Sequence, residues 1–416
     1  MDIIIGGGIT GLSYALFKNN DDYLILEKES EVGGYCKTTE RNGFIWDYSG
    51  HFFHFQHPEI KQLIMSKLYE KGDIVEIDKC THIKYKDLYI DYPFQKNIHQ
   101  LSKEEFIDCL FDLFATEDKS ISTFKEMLYN KFGCSIAEKF LIPYNEKLYA
   151  CDLNLLDKDA MGRFFPYADR KQIINNFRHS NNDSYNNSFV YPRKGAIQYV
   201  NEITSRLKQS NIKVRVEVVA IYPEQKKILL NTGELVEYDN LISTMPFPSL
   251  LKLSGLDYDP DIYSWNKVLV FNLGFNYKGN NEIDHWIYFP ENDYCFYRVG
   301  FYDNILKQNR ASMYVELGFK KEDVINPNEW LGRVLYDLKK AKLINESHIL
   351  IDYEWIIMDP AYVHITQKSI YDVKIKKEML SKYRIYSIGR YGSWTYCSIE
   401  DNIKEAYYLR KKNENK

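Results

Sequence analysis

The chain has 416 residues, 45% apolar and 27% charged, with a formal net charge of −4. That is enough for two or three domains and a large core, and the acidic balance excludes a global attraction to nucleic acid or to an anionic membrane. No run approaches the roughly 18 continuous apolar residues of a spanning helix, so no membrane insertion is expected.

The opening MDIIIGGGITGLSY sets a β-branched run, Ile3 to Ile5, before a glycine-rich turn and a helical stretch. Gly6, Gly8 and Gly11 satisfy G-x-G-x-x-G between strand and helix. Gly6 makes the tight turn, Gly8 lets backbone approach a pyrophosphate, and Gly11 permits close helix–strand packing. The free N–H groups of the helix start face the anion. A second strand, YLILEKE, ends in Glu27, 21 positions after Gly6, where an acid binds a ribose hydroxyl. With the first strand expected from Asp2, no signal peptide is expected.

Residues 57–160 read as mainly helical. PEIKQLIMSKLYEKG, SKEEFIDCLFDLFA and STFKEMLYNKFG carry apolar residues at helical spacing, the last two behind Ser caps, and DKCTHIKYKDLYIDYPF reads as a hairpin. AIQYVNEITSRLK is a helix, and the chain then alternates as a small meander that returns to the parallel sheet at NLISTMP. From about 262 to 365, KVLVFNLGFNY, HWIYFP, CFYRVGF and SMYVELGF read as strands and NEWLGRVLYDLKKAKL as a helix. The chain closes as strand, glycine turn and helix, with LRKKNENK a frayed polar tail. The expected fold is α/β: a discontinuous Rossmann-like domain (1–55, 190–245 and 382–416), a mainly helical insertion (56–189) and an antiparallel β-rich insertion (246–381). Both insertions should converge beyond the carboxyl ends of the strands, where such sheets bind ligands. Seven scattered cysteines without C-x-x-C spacing read as reduced thiols in a cytoplasmic protein. No metal-site spacing and no DNA- or RNA-binding module is present.

SEVGGYCKTTERNGFIWDYSGHFFHF brings Gly33-Gly34 and a short strand pair soon after Glu27. This resembles the FAD-binding start of the amine-oxidase and protoporphyrinogen-oxidase superfamily, and within it the chain is most similar to UDP-galactopyranose mutase and its relatives. The resemblance implies FAD held by Gly6, Gly8, Gly11, Glu27, Gly33 and Gly34, by backbone near Val218–Val219 on the adenine side, and by Gly389 and Arg390 in IGRYGSWTYCSIEDNI. It places His51 of YSGHFFHF beside the flavin and Tyr144 of PYNEKLYA in the substrate pocket, with Tyr149 where the family usually has a tryptophan packing on uracil. It aligns Arg298 of CFYRVGF, Tyr362 of MDPAYVHI and Tyr396 with groups that contact a diphosphate. A second diphosphate arginine has Arg178 as its best candidate, across a gap. Arg298, His51 and Tyr396 are the implied catalytic residues.

The implied substrate is a nucleotide-diphosphate sugar for surface polysaccharide synthesis. The implied reaction is a pyranose–furanose interconversion in which N5 of reduced flavin attacks the anomeric carbon without net redox change. An external reductant such as NAD(P)H would keep the flavin reduced, and a homo-oligomer remains open. The alternative is an oxidase or desaturase of the amine-oxidase or protoporphyrinogen-oxidase type, which needs an apolar channel instead of a diphosphate cradle. Strand alternation puts Phe296, Arg298 and Gly300 on one face of CFYRVGF and Tyr297, Val299 and Phe301 on the other. A guanidinium there needs a buried anionic partner, either a carboxylate or the substrate's phosphate.

Overall fold

Three distant stretches of chain supply one parallel sheet, ordered Ile385–Ser387, Asn240–Ser243, Asp2–Ile5, Tyr23–Glu27, Ile212–Val214. The structure is a computed structural model that describes residues 1–116, 120–182 and 187–414. Ile3 and Ile4 are fully buried at the sheet centre, as expected of a parallel strand covered on both faces. The helix Ile9–Lys18 packs on one face and ends at Asn19 in the left-handed region. Lys18, in its last turn, pairs with the buried Asp2 carboxylate at 2.7 Å. The expected meander is present as the antiparallel strands Val218–Tyr222, Lys227–Leu230 and Leu235–Glu237. The α/β fold class, with a Rossmann-like unit built from separated segments, is therefore the observed one.

A second sheet has seven strands, ordered Leu350–Met358, Asn266–Phe275, Ser312–Lys320, Arg298–Phe301, Trp286–Tyr288, Thr81–Tyr85, Leu88–Asp91. The last two form the hairpin expected inside the helical stretch, but they complete this sheet instead, and Thr81–Tyr85 runs parallel to Trp286–Tyr288. The sheet is thus mixed, not purely antiparallel, and segments 56–189 and 246–381 share it. The physical reason is burial: Ile83 and Ile90 have no exposure in this position, which an isolated hairpin could not provide. The helix Pro327–Lys340 covers one face, where Val334 and Leu338 pack with Leu269, Phe271 and Leu273.

Other expectations shift locally. The helix Phe124–Ile136 is capped by Thr123, one residue beyond the expected serine. Thr123 and Glu126 form a reciprocal capping box, and Glu126 also takes the Ser122 N–H. The sequence reading missed the edge strand Leu350–Met358 and the helix Gln367–Ser381. The expected polar tail continues the helix Ile399–Glu414, whose Ile403 and Ala406 are buried against the Ile9–Lys18 helix; the last two residues lie outside the described ones.

Candidate functional site

At the carboxyl end of the parallel sheet the backbone turns back with almost no side chains. A Cβ on Gly11 would lie 2.1 Å from the Gly6 carbonyl oxygen, so helix and turn approach at a distance only glycine allows. Gly8 is different: a Cβ there would meet only the Gly34 Cα, at 3.9 Å. Gly8 caps the helix, and no side chain accepts its first N–H groups. Open space at the positive end of a helix is what a pyrophosphate requires. Gly33 donates its N–H to the Gly7 carbonyl at 2.8 Å and bridges Gly8, so Gly33-Gly34 forms the opposing wall.

Glu27 stands at the end of the neighbouring strand, 7% exposed. Its Oε2 accepts the Gly7 N–H at 2.7 Å and its Oε1 the Glu29 N–H at 2.9 Å. Two backbone donors fix the carboxylate and leave further lone pairs for hydroxyls. Val216 donates its N–H to the Glu27 carbonyl at 2.9 Å. That brings up the next strand, where Val219 is exposed at a register irregularity between Val218 and Ala220. From the other side, Gly389 approaches Thr10, and Asn402 Oδ1 accepts both the Thr10 hydroxyl (3.1 Å) and the Arg390 N–H (2.8 Å).

Arg390 leads from this cradle into an aromatic cleft. Its guanidinium lies 4.7 Å from the Tyr396 ring centre and 5.2 Å from that of Tyr362, within cation–π reach. Those two rings stack at 5.8 Å, and Tyr362 meets Tyr149 edge-on at 5.8 Å. Tyr144 contacts Tyr297 and Tyr288. Burial pushes the Tyr362 phenol well above its ordinary value and Tyr396 adds to this, while Arg298 and Arg390 pull it back. Arg390 Nε and the hydroxyls of Tyr149, Tyr297 and Tyr314 are buried with no hydrogen-bond partner among the described residues. Unsatisfied donors at this density are costly to a fold and characteristic of functional sites.

Arg298 is where the alternation argument fails. Tyr297 donates its N–H to the Glu316 carbonyl while Arg298 is itself opposite Glu316, so two successive residues face one partner, as in a β-bulge. Tyr297 consequently meets Tyr144 edge-on in the core that also holds Tyr314, and Phe296 joins Val299 and Phe301 in the other core. The buried anion beside Arg298 is a carboxylate of the chain: Nε and Nη2 donate to Glu316 Oε2 and Oε1 at 2.5 and 2.8 Å. Glu316 is 1% exposed and Arg298 19%. Ser49 also hydrogen-bonds Glu316. The signal for Glu316 was available, because it is the charged residue of the apolar strand SMYVELGF.

His51 is within electrostatic reach of both arginines. Burial pushes its imidazole down to about 4; the Ser49 carbonyl 3.3 Å from Nδ1 opposes this, Arg390 and Arg298 push the same way, and Glu316 opposes it. The ring is therefore neutral at pH 7. Arg178 does not join the cluster. It is exposed beyond the end of the helix Arg170–Asn176, where the chain has already turned to solvent. Besides Arg390, Arg163 comes toward Tyr396 through one intervening ring: it lies over Phe164, whose ring meets Tyr396 at 5.0 Å, and it pairs with Asp401 at 2.7 Å.

Two positioning residues were also missed. Lys147, on the helix Ile142–Tyr149 that carries Tyr144 and Tyr149, donates to the carbonyls of Phe289, Glu291, Tyr294 and Phe296 at 2.6–3.0 Å. It fixes the loop leading to Arg298. Asn266 donates to the Leu148 carbonyl (2.6 Å) and accepts the Tyr362 N–H (2.7 Å), tying that helix to Tyr362. A separate open cavity of about 570 Å³, lined by Glu40, Lys71, Asp73, Lys194 and Glu202 among others, lies away from the tyrosines. Its mixed charges favour no one ion.

The NAD(P)-binding Rossmann-like domain family matches residues 4–66. Coproporphyrinogen III oxidase of Bacillus subtilis is 20% identical over 88% of each chain. The crystal structure of reduced UDP-galactopyranose mutase superposes with a TM-score of 0.92 at 23% identity, covering 100% of this chain and 95% of the other. Cyclohexylamine oxidase from Brevibacterium oxydans gives a TM-score of 0.70 at 13% identity, with 99% of each chain covered. The chain has the fold of the UDP-galactopyranose mutase structure, a fold also seen in the cyclohexylamine oxidase, with an N-terminal unit of the Rossmann-like type.

Proposed function

We propose that the protein is an FAD-dependent mutase that interconverts pyranose and furanose forms of a nucleotide-diphosphate sugar. The residues present fit FAD. Gly6, Gly8, Gly11, Gly33 and Gly34 leave an open cradle at a helix N-terminus for the pyrophosphate, Glu27 is preset for ribose hydroxyls, and Arg390 stands beyond them. Bound FAD in its reduced form supplies a nucleophilic nitrogen and no net redox change. The chain's own residues bind, orient and neutralise. Arg390 with Tyr362 and Tyr396 would hold the diphosphate, Arg298 would add its remaining N–H edge, and the aromatic walls of Tyr144 and Tyr149 would exclude water. His51, neutral, can accept or donate a hydrogen bond there without adding charge.

The observation that carries this reading is the concentration of guanidinium and phenol groups in one cleft, several of them unsatisfied. An apolar oxidase channel has no use for them. The mutase fold supports it further. Two observations favour an oxidase instead: Glu316 already neutralises Arg298, which weakens its hold on a diphosphate, and the sequence similarity over 88% of the chain is to a coproporphyrinogen III oxidase. Dithionite-reduced protein incubated with a panel of nucleotide sugars decides between them. Ring-size change without consumption of reductant is expected. Inertness toward every sugar, with coproporphyrinogen III oxidised by the oxidised protein while dioxygen is reduced to peroxide, overturns the mutase. A cytoplasmic location and a homo-oligomer belong to the same proposal; among the described residues no helix is long and apolar enough to cross a membrane.

A further inference from the structure

At one edge of the seven-stranded sheet, the hairpin Thr81–Tyr85 and Leu88–Asp91 pairs with the neighbouring strand Trp286–Tyr288 through three residue pairs. At the start of this seam, where His82 pairs with Ile287, three side chains of different chemistry meet. Cys80 Sγ lies 3.8 Å from Asp284 Oδ1, and His82 Nδ1 lies 2.5 Å from the same oxygen. The three donor atoms all fall within 4.8 Å of one another. We propose that Cys80, His82 and Asp284 form a site for one divalent transition cation, zinc by its ligand chemistry, which fastens the hairpin to the sheet.

Each ligand is held from behind by another group. Asn281 donates to Asp284 Oδ2 at 2.6 Å and accepts the Asp284 N–H at 2.9 Å, so a carboxylate only 2% exposed is already aimed. His82 Nε2 faces Asp91 Oδ1 at 3.1 Å. An imidazole that donates Nε2–H to a carboxylate presents Nδ1 as the lone-pair ligand, the arrangement that orients metal-binding histidines. The Cys80 N–H donates to His285 Nδ1 at 3.0 Å, which fixes the thiol's backbone. Thiolate, imidazole and carboxylate together select zinc over magnesium or calcium, which take oxygen ligands alone. Ligand bonds of about 2.0–2.3 Å require only a small separation of the His82–Asp284 pair. Three protein ligands leave a fourth position for water.

Binding is proton-balanced and not redox. Metal–sulfur, metal–nitrogen and metal–oxygen bonds form, while the thiol proton and the proton shared between His82 and Asp284 leave to solvent. Cys80 and His82 are partly exposed, so a cation has access. The role is mechanical: Tyr92, directly after the hairpin, packs on Tyr288 at 5.0 Å, and Tyr288 packs on Tyr144. Fixing the seam therefore fixes one wall of the cleft.

The test uses the full chain, stripped by chelation and titrated with cobalt(II) alone. One cobalt per chain with a thiolate-to-cobalt charge-transfer band is expected, displaced by zinc. Cys80→Ser should lose the band. Asp91→Asn should keep it while weakening affinity about 10- to 100-fold. Zinc should also protect Cys80 of the parent chain from alkylation, read by peptide mass spectrometry; this holds the test open if a variant fails to fold. No band at stoichiometric cobalt, a band that survives Cys80→Ser, or Cys80 alkylated equally with and without zinc overturns the site and leaves a histidine clamped between two carboxylates. Flavin content should not change in any arm, so the result is independent of the proposed reaction.

Discussion

The glycine cradle and the tyrosine–arginine cleft are adjacent, yet they are built on opposite principles. The cradle is a site made of backbone, and its specificity lies in where side chains are missing: Gly8 faces open space while Gly11 touches a carbonyl. The cleft is made of side chains whose behaviour depends on partners far away in the chain, as Arg298 depends on Glu316 and Tyr362 on Asn266. A backbone site should therefore fail by steric intrusion at single glycines. A side-chain site should fail through charge and hydrogen-bond imbalance, and should be repairable by a second substitution.

The largest expected effect separates two glycines within one turn. Gly11→Ala places a methyl 2.1 Å from the Gly6 carbonyl oxygen, against backbone that cannot give way. We expect a loss above about 3 kcal/mol in denaturant unfolding, at the severe end for overpacking. Gly8→Ala, with φ −77° and nothing closer than 3.9 Å, should change stability by less than about 0.5 kcal/mol yet lower flavin retention. Equal destabilisation by both would show that Gly8 is a packing glycine and remove the cradle.

Next comes the buried ion pair. Arg298→Met strands Glu316 without its partner, which should cost about 3–5 kcal/mol of stability. Arg298→Met combined with Glu316→Gln should recover most of that in the same unfolding assay, because no buried charge remains. Under the mutase reading the repaired double variant stays inactive. Should it turn over substrate normally, Arg298 would be a structural group alone.

These two cases also explain what could be read from sequence. The cradle lies within the first 34 residues, so spacing alone carried it, as did Glu27 at the end of the next strand. Arg390, Tyr362 and Tyr396 were legible by resemblance, and they do converge. Glu316 stood out as the charged residue of an apolar strand, but its pairing with Arg298 did not, because a bulge at Tyr297 breaks the period-two rule on which the face assignment rested. Arg178 failed because local likeness says nothing of which way a helix end points. The hairpin's destination was hidden too, since a parallel pairing between residues 81 and 286 leaves no local trace.

The third effect is a pH dependence. The half-buried His51 imidazole is pushed down to about 4 in the folded chain by desolvation, against about 6.5 unfolded. Between those values the unfolded state binds the extra proton, so His51 contributes stability at neutral pH that is lost as pH falls from about 6.5 to about 4. The full span is worth about 3 kcal/mol. Asp47, raised to about 6 by burial, acts in the reverse direction over the same range, so only a difference measurement isolates the histidine. Relative to the parent, His51→Gln should lose about 3 kcal/mol less stability between pH 7 and pH 4. Parallel curves for the two proteins would mean that His51 is solvated and not desolvated in the cleft.

The smallest effect is the most specific to the cleft. Tyr396→Phe keeps the ring that stacks on Tyr362 and lies under Arg390, so packing and the cation–π contact persist and stability should move by less than about 0.5 kcal/mol. What disappears is one hydroxyl. If that hydroxyl donates to a phosphate oxygen of the substrate, the loss should be about 1.5–3 kcal/mol in kcat/KM, the range for a hydrogen bond to a charged group. The loss should be larger for a nucleotide-diphosphate sugar than for inhibition by the free nucleoside, which has no phosphate to contact. A neutral partner would give about 0.5–1.5 kcal/mol, and no change in kcat/KM would exclude Tyr396 from substrate contact. The size of the deficit therefore reports the charge of whatever the cleft holds, independently of which sugar is attached.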